Sequence, residues 1–443
     1  MINNLSFLLY KSENTERCIL FNENTPMWLL LNSTAFEIVN LLKSYVNIDK
    51  VKEIISDKYS LDQDRALKDV LYVHYLLKKN NFYIKKDFKR KPSLNSVFIN
   101  LTTRCNQKCP HCYIASEKNK KIDFPTNKII NIIDELYENN GKSITLSGGE
   151  PLLHPDIKKI IKYASPKLNI RLLTNGTLID RDYANFLSDH NVSVQISIDG
   201  SNEKIHDSIR GKGGFNLSIN AIKHLKKAGF EDNLNLCTTI MKQNHNDIID
   251  IIELSQNYKI NMLRFLHLRR TGRADKKWAD ISGMNLNDYE NFIIKILELQ
   301  KYYKTNLTLT CGMSGFLLKI PKEFDEDGLW CPVGKMLIID TSGNAYPCVL
   351  MMSDKYLMGN VFKEGLAKIF QSDKMLNLCD YFSNRRLLIS KCSKCTFRNL
   401  CQSGCMGQAI DHNGSIEKTD NFCNLRKTLY QNAFNEIITF DNE

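Results

Sequence analysis

The 443-residue chain lacks the run of about 18 apolar residues that a membrane helix needs. The segment from Met1 to Tyr10 lacks the apolar core and the small-residue cleavage site of a secretory signal. The sequence also has no low-complexity tract and no convincing Walker loop, Rossmann glycine pattern or Ser–His–Asp set. These absences argue against a membrane protein and against the common nucleotide-binding and serine-hydrolase classes, and they favour a cytosolic location.

The sequence is rich in cysteine, with 14 residues of that type, and it is basic, with a formal net charge of +11. Disulfides are rare in a reducing compartment, so metal ligation is the leading explanation for the cysteines. The charge suits an acidic partner such as nucleic acid, a membrane or an acidic peptide, although it also fits a solvated, lysine-rich surface. The length and composition indicate a globular protein of about two to four domains.

Residues 1–85 are predicted to form a small winged-helix-like unit with three strands and three helices. The predicted strands are 7–10, 18–21 and 27–31, and the helices are predicted to begin near residues 35, 48 and 62. Thr34 and Glu37 have the spacing of a capping box at the first helix. Residues 86–92 are basic and are predicted to be a linker.

Residues 93–310 alternate predicted strands and helices, which indicates an α/β fold. The predicted strands are 97–101, 144–146, 170–173, 192–198, 234–240 and 262–268. Such an alternation predicts parallel strands with crossover helices, either in an open barrel or in a doubly wound sheet. In both folds the functional groups gather at the carboxyl ends of the strands. Residues 311–443 instead carry nine cysteines between short turns, which predicts a small domain stapled by metal clusters.

Three cysteines lie close together just after the first of these strands, in the sequence NLTTRCNQKCPHCY. Cys105, Cys109 and Cys112 follow the pattern Cys-x-x-x-Cys-x-x-Cys. Thiolates at this spacing can hold an iron–sulfur cubane, and because a cubane normally takes four cysteines, three leave one iron open for a substrate or cofactor. The alternatives are buried thiols or a zinc site, with Cys109 and Cys112 as one half of it and His111 as a further ligand.

This three-cysteine loop resembles the signature of the radical S-adenosylmethionine (SAM) superfamily. The resemblance implies a partial (β/α)6 barrel and a [4Fe–4S] cluster whose open iron is chelated by the amino and carboxylate groups of SAM. It also implies that reduction cleaves SAM to methionine and a 5′-deoxyadenosyl radical, which then abstracts a hydrogen atom. The three cysteines would therefore be catalytic residues as well as iron ligands.

Further residues at the strand ends match SAM-binding positions of that superfamily. Ser147-Gly148-Gly149-Glu150-Pro151 resembles the GGEP motif that meets the SAM amino group, and paired glycines let a backbone approach a ligand closely. Ser197 and Arg210 match positions that bind the SAM carboxylate, which an arginine can pair in bidentate fashion. Outside this context they would be a strand-end cap and a surface charge. The remaining implied SAM contacts are Tyr113, Asn175, Asp199 and, through its backbone near the adenine, Leu268.

Seven further cysteines resemble the SPASM domain of peptide-modifying radical SAM enzymes, which holds two auxiliary [4Fe–4S] clusters and would bring the total to three. The resemblance assigns Cys331, Cys348 and Cys405 to the first auxiliary cluster, with Cys311 as the candidate fourth ligand. It assigns Cys392, Cys395, Cys401 and Cys423 to the second. If Cys311 is not a ligand, the first cluster has an open iron that could bind a substrate thiolate. A pair of zinc knuckles is the alternative for these cysteines.

Residues 29–38, LLLNSTAFEI, resemble the PqqD-like element that recognises precursor peptides, which implies a leader peptide bound as an added strand on a sheet edge. The overall plan resembles the maturases of sactipeptides and ranthipeptides, which join a cysteine sulfur to a carbon of another residue. We therefore expect a peptide-modifying oxidoreductase whose partners are a precursor peptide and an electron donor such as flavodoxin or ferredoxin, without a membrane or nucleic acid.

Two alternatives stay open at this point. The first is carbon–carbon cross-linking or another oxidation of a peptide or protein side chain, since the cysteine pattern does not separate these reactions. The second is a non-enzymatic zinc and nucleic-acid binding protein, for which the basic residues 264–277 are the best support. Because this stretch follows a strand and has no interleaved aromatic residues, we interpret it as a loop at the rim of an active site or as a solvated face.

Overall fold

The computed structural model describes residues 5–11, 16–45, 47–83, 89–116, 122–303, 307–311 and 331–440. These residues divide into two units. The first unit contains the described residues up to Arg90, Cys331, and the residues from Asp380 onwards; the second contains those from Lys91 to Cys311 and from Pro332 to Cys379. Of the predicted linker, residues 86–88 lie outside the described residues. Among the helices of the described ranges, none is long and apolar enough to cross a membrane.

The N-terminal part of the first unit has the three strands and three helices that the sequence predicts. The strands β1 (Phe7–Lys11), β2 (Cys18–Asn22) and β3 (Trp28–Leu31) form an antiparallel sheet with β2 in the middle. The helices are α1 (Ser33–Ser44), α2 (Ile48–Tyr59) and α3 (Gln63–Lys79). Apolar side chains at helical spacing, such as Val70 and Leu77 of α3, pack with Leu20 of β2 into one core.

The predicted capping box at α1 is wrong. Asn32 caps this helix, and its side-chain oxygen accepts a hydrogen bond from the backbone N–H of Ala35 at 2.8 Å. Asparagine is at least as good a cap as threonine, so the helix begins before Thr34 and Glu37 lies beyond its first turn. The Glu37 carboxylate instead accepts hydrogen bonds from Lys58 and from the Tyr59 hydroxyl of α2, at 2.5 and 2.6 Å.

The second unit is built on a ten-stranded sheet. Its strands are β4 (Ser96–Asn100), β5 (Ser143–Ser147), β6 (Asn169–Thr174), β7 (Ser193–Ser197), β8 (Leu234–Ile240), β9 (Met262–His267), β10 (Thr308–Cys311), β11 (Met336–Ile339), β12 (Asn344–Tyr346) and β13 (Gly359–Asn360). From β4 to β10 neighbouring strands are parallel and follow one another in chain order. On the other side of β4 the sheet continues with the parallel strand β11 and then with the antiparallel strands β12 and β13.

The order of the strands decides between the two folds that the alternation allows. A doubly wound sheet reverses its strand order at a switch point, whereas β4 to β10 show no reversal. Right-handed crossovers that always step in the same direction are those of a (β/α) barrel. The predicted α/β class and the barrel-like parallel sheet are thereby confirmed, and the carboxyl ends of β4 to β9 lie along one edge.

The helices of the second unit follow their strands and show apolar positions three and four residues apart, as Ile129, Ile132, Ile133 and Leu136 do in α4. They are α4 (Thr126–Glu138), α5 (Ile157–Ala164), α6 (Arg181–Asp189), α7 (Glu203–Arg210), α8 (Gly214–Lys227), α9 (Ile248–Asn257), α10 (Arg273–Lys276), α11 (Trp278–Ile281), α12 (Leu286–Tyr302), α13 (Val361–Glu364) and α14 (Leu366–Phe370). The chain then continues through α15 (Asp373–Leu388), α16 (Ser390–Ser393), α17 (Arg398–Cys401), α18 (Met406–Asn413) and α19 (Cys423–Phe440).

Within the first unit, the N-terminal sheet is covered on both faces. Leu20 of β2 faces the core with α1 to α3, while Ile19 and Phe21 pack against Phe434 of α19 and its neighbours. This is why β2 has no polar alternation and is buried at every position. A buried hydrogen bond of 2.7 Å from Asn399 Nδ2 to the backbone oxygen of Asn22 joins segments 377 residues apart.

Candidate functional site

The loop after β4 carries Cys105, Cys109 and Cys112 at the carboxyl end of that strand. Thr102 forms an isolated antiparallel bridge with Asp123, and the Arg104 guanidinium donates two hydrogen bonds to the Asp123 carboxylate at 3.1 and 2.8 Å. These contacts close the base of the loop, of which residues 117–121 lie outside the described part of the chain. The three thiols therefore belong to one anchored turn.

The two glycines after β5 pack against the backbone of this cysteine loop. The N–H of Gly149 donates to the carbonyl of Thr102, and the N–H of Glu150 donates to the carbonyl of Arg104, both at 2.7 Å. A Cβ on Gly149 would lie 2.0 Å from the Arg104 carbonyl oxygen, and Gly148 has a φ of +129°. The glycine pair thus positions the cysteine loop. From the sequence we interpret the pair as allowing the backbone to approach a ligand closely, and that interpretation does not indicate this role.

Glu150 is fully buried and its carboxylate is occupied by hydrogen bonds from the protein. It accepts them from the Thr174 hydroxyl at 2.7 Å, from the N–H of Asn175 at 2.9 Å and from the N–H of Leu152 at 3.2 Å. Burial raises the pKa of this carboxyl, and the Thr174 hydroxyl and the two N–H groups oppose that rise. Glu150 therefore ties the end of β5 to the end of β6, and Pro151 follows as the first residue of a short 3₁₀ turn.

Asn175 links the turn after β6 to the cysteine loop. Its amide nitrogen donates to the Asn106 side-chain oxygen at 2.8 Å, and its own oxygen accepts from the N–H and the hydroxyl of Thr177 at 2.9 and 2.7 Å. Asn106 in turn donates to the Thr177 hydroxyl at 2.8 Å. The predicted site residue Asn175 is thus brought next to the cysteines as part of a closed polar network.

Asp199 and Arg210 form a buried ion pair beside the cysteine loop. Arg210 Nε lies 2.6 Å from Asp199 Oδ2, and their side chains are 9% and 0% exposed. Arg210 Nη1 lies 4.0 Å from the sulfur of Cys109, and His111 Nε2 lies 3.4 Å from Asp199 Oδ2. Burial by itself raises the pKa of the Asp199 carboxyl, but Arg210, together with the histidines and the Thr239 N–H nearby, outweighs it and holds this pKa below its ordinary value. Asp199 thereby orients Arg210 toward the thiols.

The cysteine loop has the properties of a site built around a group other than protein. Burial raises the pKa of Cys105 to about 12, so the thiol stays protonated unless a metal displaces the proton. Burial also lowers the pKa of His111 to about 4, which keeps its ring neutral. Three buried polar atoms here lack a partner among the described residues, namely Gln107 Nε2, His111 Nδ1 and Ser116 Oγ. Clustered thiols with unsatisfied polar atoms fit an iron–sulfur cluster with a polar ligand.

Gly272 and Arg273 follow β9 and hold the same loop. The sequence placed both in the basic stretch 264–277, interpreted as an active-site rim or a solvated face, but it assigned them no contact with the cysteine loop. Arg273 Nε donates to the carbonyl of Cys109 and Nη2 donates to the carbonyl of Ser116, both at 2.8 Å. A Cβ on Gly272 would lie 2.2 Å from the carbonyl oxygen of Tyr113, and the residue has a φ of +61°. A glycine-arginine pair in the loop after the last predicted barrel strand was the signal available in the sequence.

We expect Arg273→Ala to lower the turnover of the enzyme about 10- to 100-fold, as is usual when a group that orients metal ligands is removed, and to lower the iron content by at most about four atoms per chain, the content of one cluster. The cause is the loss of two charge-assisted hydrogen bonds to the backbone of the cysteine loop. Iron assay and turnover of the reconstituted protein measure the effect. Arg270→Ala is the matched control, because Arg270 lies in the same loop with its side chain 65% exposed and pairs with Asp275 at the surface. Equal losses in both variants would contradict the assigned role.

The other predicted contacts occupy different surroundings. The Tyr113 hydroxyl donates to Asn100 at 3.2 Å at the end of β4, so the ring lies at the base of the cysteine loop. Ser197 is half-buried at the carboxyl end of β7. The Leu268 side chain is buried in a small apolar cluster with Ile209 and Met241, which leaves its backbone as the group that a ligand could contact.

A second group of thiols lies in the first unit. Cys392, Cys395, Cys401 and Cys423 all line one cavity of about 380 Å³. In the described ranges, no three His, Cys, Asp or Glu side chains converge as ligands of a single metal ion. The four cysteines instead border a space much larger than one ion, and four thiolates around such a space are the ligand set of a [4Fe–4S] cluster.

A buried ion pair supports this cavity. Arg426 and Asp420 form two hydrogen bonds of 2.9 and 2.6 Å, and Arg426 Nε donates to the sulfur of Cys401 at 3.2 Å. Asp420 also accepts from the backbone N–H of Cys405 at 2.7 Å. A buried arginine that donates to a cysteine sulfur stabilises negative charge there, as it would for a thiolate bound to iron. No sequence motif pointed to either residue.

The cysteines assigned to the first auxiliary cluster are divided between the two units. Cys331 and Cys405 belong to the first unit. Burial raises the pKa of Cys405 to about 11, and the nearby Cys331 contributes to this rise as the second-largest cause. Cys348 and Cys311 belong to the second unit, Cys311 buried at the end of β10 and Cys348 as the cap of a short 3₁₀ turn. Three other cysteines, Cys18, Cys237 and Cys379, are buried.

Two family models match the chain. The model of the radical SAM superfamily matches residues 99–255, and the SPASM model, described as an iron–sulfur cluster-binding domain, matches residues 331–396. The first range includes the cysteine loop, the glycine pair and Arg210. The second includes Cys331, Cys348, Cys392 and Cys395, whereas Cys401, Cys405 and Cys423 follow it.

Curated relatives cover most of the chain. The mycofactocin maturase MftC of Mycolicibacterium smegmatis is 28% identical over 318 residues, which are 69% of this chain and 76% of that protein. The Fe-coproporphyrin III synthase of Methanosarcina barkeri is 30% identical over 361 residues, 75% of this chain and 88% of that protein. The crystal structure of Streptococcus suis SuiB bound to S-adenosylmethionine has a TM-score of 0.61 and 18% identity, and it covers 93% of this chain and 98% of SuiB. That last likeness concerns the fold.

Proposed function

This chain belongs to the radical SAM superfamily and is an enzyme, and on that premise we propose that it matures a ribosomally made peptide by joining a cysteine sulfur to a carbon of another residue. Membership of an enzyme superfamily removes the non-enzymatic zinc and nucleic-acid alternative. The name of the MftC relative, a mycofactocin maturase, supports a maturation reaction. The thioether bond is supported by the plan of the whole chain, which resembles thioether-forming maturases.

In this proposal Cys105, Cys109 and Cys112 hold a [4Fe–4S] cluster whose remaining iron binds SAM. When bound, this pair supplies a carbon-centred radical that takes a hydrogen atom from the peptide. Arg210 uses its Nε for Asp199 and keeps its other N–H groups on the side of the cysteine loop, where they can pair the SAM carboxylate. Glu150 and Asp199 act by holding the strand ends and Arg210 in place.

The other SAM contacts in the proposal lie at neighbouring strand ends: Gly148, Gly149, Pro151, Asn175, Ser197, the backbone of Leu268, and Tyr113 at the base of the loop. The barrel edge supports this set, because parallel strands in chain order bring their carboxyl ends together. Buried carboxylates and closed hydrogen-bond networks keep these residues in place without the ligand, so little ordering is needed when SAM binds.

Two auxiliary [4Fe–4S] clusters complete the proposed cofactors. Cys392, Cys395, Cys401 and Cys423 hold one, and the shared cavity is the support for it. Cys331, Cys348 and Cys405 hold the other with Cys311 as fourth ligand. The proposed domains are residues 1–85 for leader binding, 93–310 for the radical chemistry and 311–443 for the auxiliary clusters. Iron–sulfur clusters are consistent with the proposed cytosolic location, where thiols are kept reduced.

The N-terminal sheet supports a peptide partner. Its order β1-β2-β3 makes β3 an edge strand, and among the described residues β2 alone pairs with it. An extended leader peptide could add to this edge by backbone hydrogen bonds. The net charge of +11 fits the acidic character that we expect of the leader.

The observation that carries the proposal is the presence of two cysteine groups, an anchored three-cysteine loop at the barrel edge and a four-cysteine cavity in the unit that also contains the N-terminal sheet. To test it, a small cysteine-containing peptide encoded beside the gene is co-expressed anaerobically with the enzyme and treated with a thiol-alkylating reagent. The intact mass of the peptide is then measured by mass spectrometry. Each thioether is expected to remove two hydrogens, about 2 Da, and to protect one cysteine from alkylation. Co-expression with the C105A/C109A/C112A variant is the control for oxidation without the enzyme.

Loss of two hydrogens with every cysteine still alkylated would refute the thioether and establish a carbon–carbon or other oxidative link instead. A mass change that also appears with the triple variant would show that the enzyme is not its cause. Tandem mass spectra of the alkylated product locate the bond, since a thioether fragments at the bridged residue.

A further inference from the structure

The four-cysteine cavity opens among basic side chains. Its lining contains five cations and no aspartate or glutamate: Lys391, Lys394, Arg398, Arg426 and Lys427. Cys395, Cys401 and Cys423 are only partly buried, so a cluster held by them would lie near the protein surface.

The five cations divide into two inner arginines that are paired and three outer lysines that are not. Arg426 is almost fully buried and bound to Asp420, while Arg398 lies 3.6 Å from Glu23 and also donates to the carbonyl of Ser393. Lys391, Lys394 and Lys427 are exposed, and none of them forms an ion pair with a described residue. We call these three residues the lysine rim.

The three lysines of the rim contribute little to holding the cluster itself. Arg426 already donates to the sulfur of Cys401, and exposed lysines interact weakly with a buried charge because water screens them. Exposed, unpaired charges of one sign around an opening act instead on molecules that approach, by steering partners of the opposite charge and speeding association by about 10- to 1000-fold.

We propose that the lysine rim is the docking site of an acidic one-electron carrier protein, which exchanges electrons with the cluster in the four-cysteine cavity. In this step one electron leaves the reduced carrier and enters the oxidised cluster, and no proton or group is transferred. The inference rests on the proposed function for the presence of the cluster. It adds the place where the carrier binds and the charge that the carrier must have.

The test uses the reconstituted full-length enzyme without SAM or peptide, and a flavodoxin, a small acidic flavoprotein, as the probe. Oxidation of reduced flavodoxin by the enzyme is followed by anaerobic stopped-flow spectroscopy at low and high ionic strength. We expect the K391E/K394E/K427E variant to react about tenfold or more slowly at low salt, with a difference that shrinks at high salt. The neutral variant K391Q/K394Q/K427Q is expected to react at a rate between those of the K391E/K394E/K427E variant and the unmodified enzyme.

The matched control is K142E/K159E/K162E, which reverses three exposed lysines of the second unit that do not line the cavity. Its rate should equal that of the unmodified enzyme. Iron content and the extent of reduction by dithionite must be the same in all variants, which separates docking from loss of the cluster.

Equal flavodoxin rates for the rim variant and the control would overturn the proposal. Since neither SAM cleavage nor peptide modification enters the measurement, a failed peptide reaction leaves this result intact, and the two proposals can fail separately.

Discussion

Replacing Cys105, Cys109 and Cys112 together with alanine is expected to abolish turnover while the chain still folds. The thiols are the proposed iron ligands, and the loop that carries them is anchored by other groups, namely the Arg104–Asp123 pair, the Gly149 backbone and Arg273. Iron content should fall by about four atoms per chain, one cubane, and SAM cleavage to 5′-deoxyadenosine should disappear. Iron assay, chromatography of the nucleoside and thermal melting measure the three quantities.

Cys237→Ala provides the control for this experiment. Cys237 is a buried thiol of β8 that belongs to none of the three proposed ligand groups, so the variant should keep its iron and its SAM cleavage at a modest cost in stability. An unchanged iron content in the triple variant would show that the loop does not hold a cluster. A triple variant that fails to fold would contradict the anchoring contacts described for the loop.

The second large effect is expected from Phe434→Ala in α19. Phe434 is fully buried, with its ring centroid 4.9 Å from that of Phe21 and 5.4 Å from that of Trp28 in the N-terminal sheet. Removal of a buried phenylalanine ring costs about 3–5 kcal/mol of unfolding free energy. Because α19 begins at Cys423 and the same core includes Phe397 and Leu400, the variant should also lose iron from the four-cysteine cavity.

Hydrogen exchange and iron assay measure the outcome for Phe434→Ala. We expect faster exchange in β1 to β3 as well as in α19, since the sheet face and the helix share one core. Tyr302→Ala is the control, because this aromatic residue is 80% exposed and its truncation should be nearly neutral. If exchange in the sheet stayed unchanged while α19 opened, the sheet would be shown not to depend on the helix.

Much of the fold could be predicted because local patterns determine it. The strand-like runs near residues 7, 18 and 27 and the helical periodicity after them correspond to β1–β3 and α1–α3. Each end of the six alternating strands was also predicted to within one residue. The capping box at α1 failed because Asn32 competes with Thr34 for the same role and local sequence does not rank the two. The strands β10 and β11 were missed because they are short and join the sheet through long-range pairing.

The hydrogen-bond partners of several predicted site residues could not be predicted from the sequence. Glu150 and Asp199 were expected near SAM, and the structure shows that both carboxylates are already bound by protein groups. The glycine pair was expected to face a ligand, and it packs against the backbone of the cysteine loop. A motif reports which residue types a site requires, but it does not report which atoms those residues touch.

The sequence by itself determined the family, the α/β alternation and which cysteines are candidate cluster ligands, because ligand spacing and hydrophobic periodicity are short-range properties of the chain. The tertiary structure alone decided what depends on contacts between distant segments. It brought Arg273 within hydrogen-bond distance of the carbonyl of Cys109, which lies 164 residues earlier in the chain, and it brought Arg426 within hydrogen-bond distance of the sulfur of Cys401. It also joined the N-terminal sheet and the C-terminal helix into one core, because an apolar strand buried on both faces needs a second partner that no local pattern identifies.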